Sequence, residues 1–201
     1  MKTWITADWH LGEDRFDLMG RPFTSVEEHI QTLWENHNAV VRPDDLVIMA
    51  GDVCYQKATK YLPFVEKFHG KKILVRGNHD RGLTDEQLKP YFERIYADGE
   101  GFRHLIGNNM CYITHYPTCG VEDAFNLVGH IHGAWKYQLN MFNVGVDANH
   151  FRPVDAERID FHKTAVEKYY DEDVWVGYNP INASYRGKRG KPGSYFSPVQ
   201  P

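Results

Sequence analysis

Five short runs place metal-ligating side chains together: Asp8-Trp9-His10, Gly51-Asp52, Gly77-Asn78-His79-Asp80, His115-Tyr116-Pro117 and Gly129-His130-Ile131-His132. Imidazoles with carboxylates and an amide oxygen suit zinc, manganese, iron or nickel, whereas calcium would want nearly all oxygen ligands. Asp8 and His10 are separated by one residue, so in extended chain they can turn to the same side and share an ion. The set is too large for one catalytic ion. Two ions about 3.5–4 Å apart, bridged by one carboxylate, would use it fully and would clamp the attacking and leaving oxygens of an in-line phosphoryl displacement. Asp52, alone in its run, is the natural bridge.

Nearly every run is preceded by a strand pattern. Residues 2 to 7 read as a strand delivering Asp8 and His10, and residues 45 to 50 as a buried strand ending in Gly51-Asp52. Lys72-Ile73-Leu74-Val75 stops abruptly before Arg76-Gly77-Asn78, where glycine allows a tight turn and close backbone approach. Ligands of open α/β sheets bind at this carboxyl edge, so the runs can meet in space. Between the strands, a helix capped by Thr24 with Glu27 three residues later carries Ile30, Leu33, Trp34, His37, Val40 and Val41 at helical spacing. His29 and His37 read as surface residues of that helix. Helical spacing returns over 56 to 68 despite Pro63, and a short helix capped by Thr84 and Asp85 is predicted over 84 to 92.

The alternation predicts βαβ units and a mainly parallel sheet. The pattern then changes to a hairpin, 100 to 106 and 109 to 114 around Gly107-Asn108, whose second strand ends at His115. Phe125-Asn126-Leu127-Val128 is a strand running into the His130 and His132 turn. Residues 141 to 147 read as a strand closing the core, and 155 to 170 as a terminal helix with Ile159, His162, Val166 and Tyr169 on one face. Residues 1–170 form one domain on this reading. Residues 171–201, rich in Gly, Pro and aromatics and carrying Arg186-Gly187-Lys188-Arg189-Gly190-Lys191, form a C-terminal arm packed on the domain or on a partner.

Composition narrows the function class. At 201 residues, with 42% hydrophobic, 25% charged and 14% aromatic residues, the chain is an ordinary globular protein with a sizeable core. A formal net charge of −4 argues against broad nucleic-acid coating, which needs a positive surface. The three cysteines have no CxxC spacing and suggest no disulfide framework. The chain opens with a strand pattern instead of a secretory signal, and no apolar run approaches membrane-spanning length, so a cytoplasmic protein is expected.

The ordered series Asp8-x-His10, Gly51-Asp52, Gly77-Asn78-His79-Asp80, His115 and Gly129-His130-x-His132 resembles the calcineurin-like metallophosphoesterase superfamily. The resemblance implies a four-layer α/β/β/α sandwich. It implies that Asp8, His10, Asp52 and His132 hold one divalent or trivalent metal ion, and that Asp52, Asn78, His115 and His130 hold the other, with manganese favoured over iron, zinc or nickel. A hydroxide bridging the ions would hydrolyse a phosphomonoester or phosphodiester, with a small phosphate ester or nucleotide as substrate. His79 would lie at the substrate and serve its leaving oxygen, with Asp80 orienting its ring. Asn78 would also face the substrate. Arg76 resembles the arginine that binds phosphate in related protein phosphatases, the alternative being a surface salt bridge. Closer similarity, in Arg21-Pro22-Phe23, Asn143-Val144-Gly145-Val146-Asp147 and Phe151-Arg152-Pro153, points to a small bacterial and phage subgroup of predicted phosphoesterases. Glu13 stands where that pattern would have histidine.

Two other readings remain. A nuclease acting on DNA or RNA draws support only from the basic segment 186 to 191. A non-catalytic module, with metals locking the sheet or binding a phosphorylated partner, would not require His79 and Asp80, since structural zinc prefers four closed ligands. Cys54 reads as a buried filler and His150 as structural.

Overall fold

The computed structural model describes residues 1–55, 58–138 and 140–168, with side chains in the last helix described to residue 164. Four parallel strands, β1 (Thr3–Thr6), β2 (Leu46–Met49), β3 (Lys71–Val75) and β4 (Arg94–Tyr96), form the first sheet. The second begins with the hairpin β5 (Gly101–Ile106) and β6 (Asn109–Thr114), paired from Gly101 with Thr114 to Ile106 with Asn109. It continues with β7 (Phe125–Val128), β8 (Tyr137–Gln138) and β9 (Met141–Asn143), in the order β5-β6-β7-β9-β8. A short strand β10 (Val154–Asp155) returns antiparallel to β1, so the first sheet runs β10-β1-β2-β3-β4.

The sheets face each other. Ile5, Ile48, Val75, Ile113, Leu127 and Phe142, none more than 0% exposed, interlock between them. The opposite face of the first sheet is covered by α2 (Val26–Asn38) and by a 3₁₀ helix over Thr59–Lys67, with Trp9, Leu33, Met49, Val65, Phe68 and Leu74 at the contact. Each large side chain so buried contributes roughly 1.5–3 kcal/mol. Two single-turn helices, α1 (Phe16–Met19) and α3 (Asp85–Leu88), lie in the connections. The last helix, α4 (Ala156–Lys168), packs on β1, β5 and β10 and sends Ile159 into the inter-sheet core. This is the two-sheet α/β class that the alternation and the resemblance implied. Among the described residues, no helix is long and apolar enough to cross a membrane.

Several local expectations need correction. The cap of α2 is Ser25, which accepts from Glu28 N at 3.1 Å, while Thr24 donates through N and Oγ1 to the Glu28 carboxylate. Either residue can cap a helix, and burial of the 29, 33, 37 stripe against the sheet sets the register. His29 and His37 are accordingly interior residues at 0% and 1% exposure, not surface ones. The expected strand 141–147 ends at Asn143. There the buried amide donates to His132 O and Trp135 O and accepts from Gly145 N, turning the chain into a 3₁₀ helix over Val146–Asn149. Of the helical spacing expected over 56 to 68, residues 56 and 57 lie outside the described part and Thr59–Lys67 form the 3₁₀ segment, in which the Pro63 ring avoids the clash with the carbonyl four residues back that an α-helical turn would impose. The expected face residue Tyr169, the side chain of Val166 and the whole arm 171–201 lie outside the described part.

Candidate metal centre

The carboxyl ends of β1, β2, β3, β6 and β7 deliver the five runs to one rim. Of the seven described non-glycine residues with positive φ, five are Asp8 (61°), His10 (48°), Asp52 (57°), His130 (74°) and His132 (48°). Such backbone costs of order 1–3 kcal/mol per residue and persists where surrounding structure over-determines it, typically at functional sites. Two glycines let the loops close on each other. A Cβ at Gly51 would overlap the His115 ring, and one at Gly77 would overlap the Asp52 carboxylate.

At the centre is Asp52, 1% exposed. Its Oδ2 lies 3.4 Å from both His10 Nε2 and His115 Nε2, while Oδ1 accepts from His79 N at 2.8 Å. Among the described residues, three overlapping groups have donor atoms within 4.8 Å of one another: Asp8, His10 and His132; His10, Asp52 and His79; and Asp52, His115 and His130. Asn78 Oδ1 joins the last group, 3.2 Å from His115 Nε2 and 2.9 Å from His130 Nδ1. The Asp8 carboxylate accepts from His130 N through both oxygens, at 3.0 and 3.1 Å.

The electrostatics are those of two buried carboxylates, Asp8 and Asp52, at one rim. Burial, with repulsion from Asp52, pushes the Asp8 carboxyl up to about 6. Burial also opposes ionisation of Asp52, but the close approach and charge of His115 and the charge of His10 outweigh it and hold that carboxyl well below its ordinary range. Against its own burial, His115 is raised to about 9 by Asp52 and Asp8. Burial drives His10 far down, and neither of its ring nitrogens has a hydrogen-bond partner. An imidazole buried with both nitrogens unsatisfied costs about 1–3 kcal/mol per group unless something fills the place of the missing partner. Orphaned imidazole nitrogens beside two carboxylates and an amide oxygen are the donor set of a first-row transition-metal cation, and the residues present therefore fit such a cation.

Outer contacts fix the candidate ligand rings. His115 donates from Nδ1 to Ala50 O at 2.8 Å, leaving Nε2 toward Asp52. His132 donates from Nδ1 to Asp147 Oδ2 at 2.8 Å, leaving Nε2 toward the Asp8 group. Asp147 is held in turn by Arg21, through Nε to Oδ1 at 2.7 Å and Nη2 to Oδ2 at 2.8 Å. The same guanidinium donates to Asp8 O at 2.6 Å and Trp9 O at 3.2 Å. It also donates to His29 Nε2 at 2.8 Å, so that ring accepts and stays neutral, its pKa pushed down to about 3 by burial and by Arg21. On the other flank, Tyr116 sets its ring edgewise to His115 and His130 at 4.7 and 4.9 Å and anchors its hydroxyl on Asp98 at 2.6 Å.

Residue patterns missed Arg21 and Asp147 as site residues although both lie in the subgroup motifs. One signal was available: two distant motifs, one offering an arginine and the other an aspartate. They touch a second time, through Phe23 and Phe151 with ring centroids 4.8 Å apart.

Two expected roles change. Asp80 does not orient the His79 ring: its oxygens accept from Asp52 N, Val53 N and Gly77 N at 2.8, 3.0 and 2.9 Å, clamping the second loop to the third. His79 Nδ1 is buried without a partner, and its ring lies 4.6 Å from His10 and 5.6 Å from Tyr55. The Arg76 fork donates to Asp80 O at 2.9 Å, Leu83 O at 2.6 Å and Asp85 Oδ1 at 2.7 Å. With its donors so engaged it braces the turn after the site, the salt-bridge alternative. Cys54 is the filler expected, its thiol on Leu11 O and Ala58 O and pushed up to about 12 by burial and by Asp80.

A family model described as calcineurin-like phosphoesterase matches residues 1–194. The chain belongs to that family. Among relatives of this calcineurin-like phosphoesterase, an uncharacterised protein of Methanocaldococcus jannaschii, MJ1445, is 27% identical over 168 residues, 79% of this chain and 89% of that protein. The Gene 66 protein of Mycobacterium phage L5 is 37% identical over 82 residues, 39% of each chain. A solved structure, the protein of unknown function AQ665 from Aquifex aeolicus, superposes with a TM-score of 0.62 at 23% identity, covering 80% of this chain and 98% of that one, a likeness of fold.

Proposed function

We propose that this calcineurin-like phosphoesterase hydrolyses phosphomono- or phosphodiesters of small molecules or nucleotides at a pair of cations. The observation that carries the reading is Asp52, with one carboxylate oxygen 3.4 Å from an imidazole of each flanking ligand group. Asp8, His10, Asp52 and His132 would hold one cation and Asp52, Asn78, His115 and His130 the other, with manganese first among manganese, iron, zinc and nickel. Bound there, the cations would supply Lewis-acid polarisation of the phosphoryl oxygens and lower the pKa of a water nucleophile.

The chain's own residues do the rest. Asp52, Asn78 and the histidine rings set where the phosphoryl group sits. His79, next to His10 and free of Asp80, holds a proton for the leaving oxygen. Asp80 keeps Asp52 in register with the third loop, and Arg21 keeps Asp8 and His132 in register through Asp147. Net charge −4 favours a small substrate over a nucleic-acid track. Free Cys54, Cys111 and Cys119 suit a reducing cytoplasm.

The test is hydrolysis of p-nitrophenyl phosphate, bis(p-nitrophenyl) phosphate, cyclic nucleotides and short oligonucleotides by protein stripped of metal and refilled with manganese, iron, zinc or nickel. His79→Ala should lose hydrolysis while keeping its metal content. A fully loaded wild-type protein that cleaves none of these esters would leave a non-catalytic module.

A further inference from the structure

Away from the rim, a cleft of about 510 Å³ opens between α2, β10 and the first turn of α4. Its wall includes Trp4, at the amino half of β1, four residues or about 13 Å of strand from Asp8. The metal centre leaves the opposite end of the same strand. Three cationic side chains from three separate segments line the cleft: Lys136 before β8, Arg152 before β10 and Arg158 in α4.

None of the three has an ion pair with a described carboxylate. Lys136 Nζ reaches Ala148 O at 3.2 Å, Arg152 Nε reaches Asn36 Oδ1 at 3.4 Å, and Arg158 Nε reaches His162 Nε2 at 3.4 Å. Among the described residues the one acid in the wall, Asp155, is turned elsewhere: Oδ2 accepts from Lys2 Nζ at 2.8 Å and Oδ1 from Glu157 N at 2.9 Å. Lys136 is held against its own burial and against the positive charge of Arg158, both of which lower its pKa. In a chain with 27 acids against 23 bases, gathering three cations around one cavity whose described acid, Asp155, is turned to Lys2 and Glu157 N is electrostatically unfavourable, and an arriving anion relieves it.

We propose that this cleft is a second, metal-independent binding site for a small phosphate-bearing anion of nucleotide size, held by Lys136, Arg152 and Arg158. The volume is that of a small-ligand pocket. Guanidinium forks match phosphate oxygens in pairs, with the lysine as a point charge. The apolar wall of Trp4, Val40 and Val154 gives the non-phosphate part of the ligand a surface. Asp155 and Glu157 at one margin oppose a long phosphodiester track.

The experiment uses the full-length protein freed of metal by chelation, with pyrophosphate and AMP as probes at physiological salt, followed by calorimetry and by amide chemical shifts. Saturable binding of either probe is expected, with shifts at Asn149, Arg152 and Arg158. The double variant Arg152→Gln, Arg158→Gln should weaken it about tenfold or more, whereas Asp52→Asn should leave it unchanged. Both arginines are exposed, so an unchanged amide spectrum elsewhere verifies that the double variant folds, and Lys136→Met provides an independent lesion. The proposal is overturned by absence of saturable binding below about 10 mM or by affinity indifferent to the double variant. It is equally overturned by shifts confined to the Asp52 rim, or by a twelve-nucleotide single strand binding far more tightly than AMP.

Discussion

Strand β2 has a buried aspartate at each end, and the two have opposite surroundings. Asp45, just before the strand, is 3% exposed and accepts from Lys2 N at 2.7 Å, Arg42 N at 3.0 Å and Trp4 Nε1 at 3.1 Å. Those donors are fixed parts of the fold. Asp52, just after it, is as deeply buried but turns one oxygen to two imidazoles at 3.4 Å, too long for a good hydrogen bond. Its backbone is in the left-handed region besides. A carboxylate whose lone pairs are taken by N–H donors holds structure together. One left facing an imidazole whose ring nitrogens both lack partners, as His10 does, is poised for cations.

The largest expected effect is at the second aspartate. Asp52→Asn should cost roughly a thousandfold in kcat/KM, the several kcal/mol that cations contribute to phosphoryl transfer, and should halve or abolish metal content while the metal-free protein unfolds no more easily than wild type. Retention of both ions by this variant would break the contrast.

Next is a pH effect separating interior from rim histidines. His37 lies between Trp9 and Phe68 with Nε2 on His69 O at 2.9 Å, and burial lowers its pKa to about 4. The unfolded chain binds this proton first, so the contribution is complete above pH ~6.5 and is lost as pH falls from there to about 4, about 3 kcal/mol in all. Urea unfolding across that range should show the loss, and His37→Leu should remove this part of the acid limb. An unchanged limb in the variant would assign it elsewhere.

A smaller effect is expected at Asp147, which touches a proposed ligand but not a cation. Asp147→Asn should weaken metal affinity about 10–100-fold, read by chelator competition. Equal affinities would mean that the His132 ring is held without Asp147. The mildest lesion is Asp45→Asn, costing about 1–3 kcal/mol of stability at unchanged activity per folded molecule. Its pKa is held low by Lys2 N, Arg42 N and Trp4 Nε1 against burial. That stability is present above the unfolded pKa and lost as pH falls through the folded one, so the variant's denaturation should be less acid-sensitive. If activity fell with stability intact, the two ends of β2 would not be functionally distinct.

Much of this was legible in the residues. β1, β2, β3, β6 and β7 carry short apolar patterns that end in a ligand-type residue, and the hairpin around Gly107-Asn108 formed where expected. Patterns failed where a polar residue answers to something distant. His29 and His37 look like surface histidines because imidazole is polar, yet inside the fold Arg21 donates to Nε2 of the first and His69 O accepts from Nε2 of the second. Arg76 and Asp80 look like substrate and ring-orienting groups because of their neighbours in the chain, yet Asp80 accepts from backbone groups of adjoining loops and Arg76 holds two backbone carbonyls and the Asp85 carboxylate.

The kind and order of the candidate ligating side chains, and the strand leading to nearly every one, were determined by sequence alone, since side-chain chemistry and short-period burial are local. Only the tertiary structure decided which carboxylate faces which ring, that Arg21 reaches Asp147 across 126 residues, and that Lys136, Arg152 and Arg158 share a cleft. Hydrogen bonding and charge act through space, and sheet packing brings those atoms within range whatever their separation along the chain.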